Sequence, residues 1–245
     1  MNYRCALNLS LTEGHFMGGL MKKDIPEKGA TLQQDRETYA IAPHIPGGMT
    51  DTATLRKICD VADKYHVQAI KITSAQRIAL IGVREEDLDG IWTDLAQPRG
   101  AVIGLCVRSV KICPGTTFCK RGVQDSIELG LKLDAIYHAM ALPSKMKMGV
   151  AGCRLSCAEV WVKDIGVMGT LKGWTILVGG TAGARPRLAD VLVEDVPTEE
   201  EVLAIVRKIV DYCRNSPKKE RLGRIIEEIG IDRFRAEVSK DGDST

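Results

Sequence analysis

Four cysteines in two close pairs carry the chemistry this sequence can do. Cys113 and Cys119 stand in C-P-G-T-T-F-C, and Cys153 and Cys157 in C-R-L-S-C. Four thiolates can fill a tetrahedral set around one zinc ion or bind the irons of a cubane cluster. The first pair brackets a longer loop than zinc pairs usually do, which weighs toward the cluster. Zinc stays open as the rival, and a third reading makes the thiols inert core residues. Disulfides are not expected, because no secretory leader is read and cytosolic thiols stay reduced. Between the pairs, Lys145 and Lys147 alternate with apolar residues. That strand-like spacing puts both ammonium groups on one face.

The elements that must position these groups come from a chain of ordinary globular balance. Its 245 residues, 44% hydrophobic and 27% charged, suffice for one large or two small domains with a real core. With 34 basic against 32 acidic residues the net charge is only +2, too little to expect nucleic acid as a partner. No apolar run reaches the length of a bilayer span, so a soluble protein without a membrane partner is expected. Eight cysteines with no leader suggest a reducing cytoplasm. Aromatic residues make up 4%, which leaves most of the core to aliphatic side chains.

Residues 1–37 show little periodicity; Gly18-Gly19 and the charge run from Lys22 read as turns and solvated surface of an arm. From Tyr39 to Leu95 the pattern is β-α-β-β-α. Asp51 or Thr52 caps a helix with Leu55, Ile58, Ala62 and Tyr65 on one face, and Cys59 beside it reads as core. Gly100–Ile112 reads as an apolar strand with Arg108 and Lys111 on opposite faces by parity. Pro114-Gly115 supplies the tight turn a cluster loop needs. A helix is then expected from Cys119 to about Ala141, ended by Leu142-Pro143. The second cysteine pair is expected to open a helix whose N–H groups stabilise thiolates. A hairpin follows around Lys172-Gly173. G-G-T-A-G-A-R-P-R is not a dinucleotide fingerprint. Thr198 and Glu201 form a capping box ahead of an apolar stripe of Val202, Ile205, Val206, Ile209 and Val210. Ser216-Pro217 starts a further helix, and residues 239–245 read as a frayed tail.

V-R-S-V-K-I-C-P-G-T-T-F-C-K-R-G-V-Q-D-S and K-M-K-M-G-V-A-G-C-R-L-S-C-A-E closely resemble the sirohaem and 4Fe–4S module of sulfite and nitrite reductases. The likeness covers about residues 38–238 and extends to small single-module assimilatory-type sulfite reductases. It implies an α+β fold: a ferredoxin-like half-domain over 38–100, then a mixed-sheet sirohaem and 4Fe–4S domain over 101–238. It implies Cys113, Cys119, Cys153 and Cys157 as cluster ligands, with Cys157 bridging to the sirohaem iron. Arg108 takes the place of the anion-binding arginine, and Lys145 and Lys147 those of the substrate-facing lysines. Gln76 and Arg77 match the segment laid against the sirohaem edge. With Lys111, and with Arg185 and Arg187 of the glycine-rich turn, they form the expected cofactor-binding set. Sirohaem bears eight carboxylates, which guanidinium forks pair with bidentately. His44 departs from the family, where many two-module relatives carry an anion-contacting arginine. It either donates protons near neutral pH or is a satisfied histidine at a strand end.

The resemblance implies six-electron reduction of sulfite to sulfide. A pocket for such an anion must attract negative charge, polarise the S–O bond and deliver protons, all of which lysines can do. Nitrite reduction to ammonia uses the same apparatus. A non-catalytic sirohaem and iron–sulfur electron-transfer subunit and a zinc-stabilised interaction module are the remaining alternatives. No flavin or nicotinamide fingerprint is visible, so an external donor, such as ferredoxin or a reductase subunit, is expected. Larger relatives carry two tandem modules. A single copy therefore implies either a homodimer or a module that uses its own cations beside its own cluster, and association is the expectation.

Overall fold

The computed structural model describes residues 22–240. Gly18-Gly19, the rest of residues 1–21 and the tail beyond 240 lie outside the described residues. Two sheets organise the chain, one in each half.

The first sheet is antiparallel, in the order β1-β2-β4-β3. Its strands are β1 (Thr31–Leu32), β2 (Tyr39–Ile41), β3 (Ala69–Ile72) and β4 (Ile78–Val83). Helices α1 (Thr52–Lys64) and α2 (Leu88–Leu95) complete the β-α-β-β-α pattern. Asp51 caps α1 by accepting the Thr54 amide at 2.7 Å, satisfying one of the orphan donors of the first turn. One core joins Tyr39, Ile41, Ile58, Val61, Leu80, Leu88 and Ile91. Two expectations change here. Cys59 is exposed, because the buried stripe of α1 runs through Ile58, Val61 and Ala62 and residue 59 lies about 100° round the helix. Part of the expected arm is packed: β1 pairs with β2, and Ala30 is fully buried.

The second sheet is mixed, in the order β5-β6-β7-β8-β9. It comprises β5 (Lys111–Ile112), β6 (Met148–Ala151), β7 (Ile165–Thr170), β8 (Gly173–Val178) and β9 (Asp190–Val196). β5, β6 and β7 run parallel, and β7-β8-β9 form an antiparallel meander with the expected tight turn at Leu171-Lys172. Helices α3 (Gly115–Phe118), α4 (Ser126–Tyr137), α5 (Glu199–Asn215), α6 (Leu222–Ile229) and α7 (Ile231–Ser239) make up the rest. Strand alternation divides the two faces. Met148, Val150, Ile165, Val167, Ile176 and Val178 pack with Leu129 and Leu133 of α4 and Val202, Val206 and Ile209 of α5. The opposite face carries Gly149, Gly166 and Met168, on which the chain after Cys157 lies. A Cβ at Gly166 would stand 2.3 Å from the Val160 carbonyl oxygen, so only glycine lets that segment approach so closely.

Four further expectations give way to tertiary structure. Residues 100–110 are not a strand; apart from single bridges of Cys106 to Ala141 and Val107 to Met146, only Lys111–Ile112 pairs, because Gly104 takes φ +89° and Arg108 bonds back to the Ala101 and Gly104 carbonyls. Helix α4 begins at Ser126, where Asp125 caps the Ile127 and Glu128 amides, and it stops before Ala139 at φ 62°. The second cysteine pair lies in turns, since Ser156 and Glu159 adopt positive φ, and only the short 3-10 turn Val160–Val162 follows. The helix expected at Ser216-Pro217 starts instead at Leu222.

Candidate active site

Parallel pairing brings the two cysteine loops together. β5 and β6 end side by side, with Ile112 opposite Val150, and each runs straight into a cysteine loop. Carboxyl ends of parallel strands are where open α/β sheets place ligands. The Cys113 amide still bonds the Val150 carbonyl at 3.1 Å. Beyond it, the Gly152 amide donates to Cys113 Sγ at 3.1 Å and Ser126 Oγ lies 3.3 Å from the same sulfur. Val123 and Gln124 donate their amides to the Gly152 carbonyl at 2.8 and 3.1 Å. No side chain fits between the loops: a Cβ on Gly122 would fall 2.5 Å from the Gly115 carbonyl carbon, and one on Gly152 2.7 Å from the Gln124 carbonyl oxygen.

Cys113, Cys119 and Cys153 are half-buried and Cys157 is exposed. Among the described residues, no three His, Cys, Asp or Glu side chains converge as ligands of a single metal ion. A cubane takes its thiolates one per iron, further apart than the ligands of one ion. Backbone N–H donated to sulfur is a recognised means of stabilising such a cluster. The loops therefore fit an iron–sulfur cluster.

Next to the loops is a hollow of about 340 Å³ whose charged walls are nearly all cationic. Arg77, Arg108, Lys111, Lys145, Lys147 and Lys163 line it, and Glu159 is its sole acid. The parity expectation for Arg108 and Lys111 therefore fails; once residues 100–110 fold back, both reach one space. Arg108, 9% exposed, donates to the Ala101 carbonyl at 2.8 Å and the Gly104 carbonyl at 2.9 Å. Arg77 donates to Ser109 Oγ at 3.0 Å and to the same Ala101 carbonyl at 3.2 Å. Among the described residues neither guanidinium has a carboxylate within ion-pair reach. Burial, then repulsion by Arg108, pushes the Arg77 pKa down to about 10. A buried and a half-buried guanidinium, neither neutralised by a carboxylate among the described residues, make a strong site for an anionic ligand.

The lysines differ in their restraint. Glu159 ties Lys111 at 2.9 Å and Lys163 at 3.1 Å. Lys145 and Lys147 have no such partner among the described residues. Burial first, then Lys145, Arg221 and Lys163, holds the Lys147 ammonium below the ordinary lysine range. Its backbone is fixed: the Lys147 amide donates to Asp164 Oδ2 at 2.7 Å.

The other expected residues do not line this hollow. Gln76 clamps strand β5, donating to the Ile112 carbonyl at 2.8 Å and accepting the Ile112 amide at 2.9 Å; it does not line the hollow. His44 does not line it either; its Nε2 meets Asp134 Oδ2 at 2.7 Å and its ring stacks on His138. Its Nδ1 is buried without a hydrogen-bond partner among the described residues. Arg185 and Arg187 line a separate hollow of about 240 Å³ with Arg221 and Arg224. Arg187 is engaged by Asp190, Glu227 and the Gly179 carbonyl. Sequence reasoning missed Lys163, Asp164, Arg221 and His138. The buried Lys163-Asp164 pair inside an apolar run was the available signal.

Residues 31–98 match the family described as nitrite/sulfite reductase ferredoxin-like half domain, and residues 103–243 the nitrite and sulphite reductase 4Fe-4S domain. An assimilatory-type sulfite reductase of Nitratidesulfovibrio vulgaris is 41% identical over 212 residues, 86% of this chain and 97% of the relative. The nitrite reductase [NAD(P)H] of Bacillus subtilis is 41% identical over 208 residues, 84% of this chain but only 26% of that larger protein. A crystal structure of dissimilatory sulfite reductase I superposes with a TM-score of 0.72 at 16% identity, covering 83% of this chain and 69% of that one. At that identity the likeness speaks for the fold.

Proposed function

The chain belongs to the nitrite and sulphite reductase family, and on that premise we propose that it reduces sulfite to sulfide. The observation that carries the reading is the pair of unneutralised guanidiniums, half-buried Arg77 and buried Arg108, facing a lysine-lined hollow beside four loop cysteines. Cys113, Cys119, Cys153 and Cys157 would hold the 4Fe–4S cluster, and the cationic hollow would take sirohaem carboxylates and the substrate anion. Once bound, the two groups would supply single electrons and a Lewis-acidic iron.

The chain's own residues do the rest. Arg108, Arg77, Lys145 and Lys147 attract the dianion and offset the negative charge that builds on oxygen as each S–O bond breaks. Each oxygen leaves as water, taking two electrons and two protons, so three oxygens account for six of each. Lys147, with its ammonium held below the ordinary range, gives up a proton more readily than a solvated lysine. Lys111 and Lys163, both held by Glu159, form a fixed cationic wall of the hollow.

Both parts of the site occur in one chain: Lys111 and Glu159 line the hollow and lie two residues from Cys113 and Cys157. We therefore favour a self-contained module over a shared site in a homodimer. Activity that follows the dimer fraction in light scattering would reverse that choice. An external single-electron donor, such as ferredoxin or a reductase subunit, and a cytoplasmic setting complete the reading. Among the described residues no helix is long and apolar enough to cross a membrane.

Nitrite is the second reading, favoured by the nitrite reductase relatives, of which the chain spans about a quarter. Anaerobically purified protein should show cluster and tetrapyrrole absorbance, with iron for both, and should turn over sulfite at higher kcat/KM than nitrite. A colourless, iron-free protein, or Cys157→Ser with unchanged spectrum and turnover, would sink the proposal.

A further inference from the structure

Behind the hollow is a buried polar cluster that the proposed chemistry does not use. His138, the residue that ends α4, stacks on His44 with ring centroids 3.4 Å apart and planes at 13°. His44 is tied to Asp134, whose other oxygen accepts the Val110 amide at 3.0 Å. The Nε2 atom of His138 accepts the Ala101 amide at 3.2 Å. An imidazole that accepts at Nε2 carries its proton on Nδ1 and is neutral. Burial, and then the neighbouring His44, agree with this, pushing the His138 pKa down to about 4.

Ala101 is the point where the two anion-facing arginines meet. Its carbonyl, across the same α-carbon from the amide bonded to His138, accepts Arg108 at 2.8 Å and Arg77 at 3.2 Å. Residues 101–104 belong to no strand or helix, so sheet pairing does not fix this carbonyl. The Gly100 amide is anchored to the Ala42 carbonyl at 2.9 Å, and His138 holds the next amide. We propose that His138 is a positioning residue for anion binding: it fixes Ala101 from behind, so that one carbonyl aims both Arg77 and Arg108 into the hollow. It does so as a neutral acceptor, adding no charge to a site already rich in cations.

The inference rests on the sulfite reading, and the experiment separates the two. Holoenzyme is prepared as wild type, His138→Leu, which cannot accept a hydrogen bond, and His138→Gln, whose amide oxygen can. Sulfite affinity is measured by calorimetry on the oxidised, non-turning-over protein, beside KM and kcat. His138→Leu is expected to weaken sulfite binding and raise KM by about tenfold, with kcat changed less. His138→Gln should recover most of the loss. Wild-type affinity in His138→Leu, or equal losses in both variants, would overturn the proposal. Wild-type protein that neither binds nor reduces sulfite would instead sink the functional reading. Hydrogen exchange in wild-type holoenzyme keeps the test decisive should His138→Leu not fold. Slow exchange at the Ala101 amide supports the role, and exchange at the rate of a free peptide overturns it.

Discussion

Arg221 and Lys147 are held by the same buried carboxylate. Asp164, 1% exposed, accepts the Lys147 amide at 2.7 Å and Arg221 through both oxygens, at 2.6 and 3.1 Å. The segment leading into α6 thereby fixes the backbone of a lysine in the cationic hollow, although Arg221 itself lines the neighbouring one.

Removing one partner leaves the other buried charge unpaired, which costs far more than the pair contributes. Arg221→Met is expected to lower stability by about 3 kcal/mol and to raise KM for the anion as Lys147 loses its anchor. Paired denaturation and kinetic measurements check this. A stable variant with unchanged KM would show that Asp164 holds Lys147 without help.

Lys147 should set an alkaline limit on anion binding. Its folded pKa lies below the ordinary 10.5, through burial first and then through Lys145, with Asp164 opposing. The ammonium is therefore lost at lower pH than in a solvated lysine, and kcat/KM for sulfite should decline before pH reaches that value. Lys147→Met should lower kcat/KM by about a hundredfold. Lys147→Arg keeps the charge and should flatten the decline. The stability sign is opposite: between the depressed pKa and 10.5 the unfolded chain binds the extra proton, so stability rises with pH there. An alkaline limb left in place in Lys147→Arg would assign it to another group.

The close approach of the cysteine loops makes Gly122→Ala a direct test of the cluster site. The added methyl would lie 2.5 Å from backbone of Gly115, a contact that only a shift of one loop can relieve. A cost of about 1–3 kcal/mol is expected, with iron content falling more steeply than helicity by circular dichroism. Full iron loading at unchanged Tm would mean that the loops separate without consequence.

Local signals carried the half-domain and the scaffold of the second half. Asp51 and Thr198 cap where side-chain chemistry says they should, and the apolar stripe of α5 is buried as its spacing implies. The turn before Gly173 joins two strands as expected. What the sequence hid depends on distant partners. An apolar run at 100–110 looks extended until Arg108 turns back on Ala101 and Gly104. The helix after Cys119 looks continuous until Gly122 must lie on Gly115. Gln76 looks like a polar contact for a cofactor, yet both ends of its amide are occupied by Ile112. Lys163 stands beside Asp164 in an apolar run, yet only the bare glycines Gly149 and Gly166 of two strands admit its segment to the sheet. Residue types announced the chemistry, and long-range packing decided which side chains share the space.

Acid should expose the neutral state of His138. Its ordinary pKa of 6.5 is pushed down to about 4, by burial first, then by His44 and Arg77, with Asp134 opposing. As pH falls through 6.5 the unfolded chain takes up this proton, while the folded protein refuses it until about pH 4. Across that window the unfolded state binds more protons, so this group removes stability as acid is added. His138→Gln keeps an acceptor for the Ala101 amide but cannot titrate. Its Tm should therefore fall less steeply than that of wild type between about pH 6.5 and about pH 4.5, with the two profiles parallel above neutrality. Profiles parallel throughout the acid window would show that the folded protein accepts the proton at His138, and the neutral acceptor role would go with it.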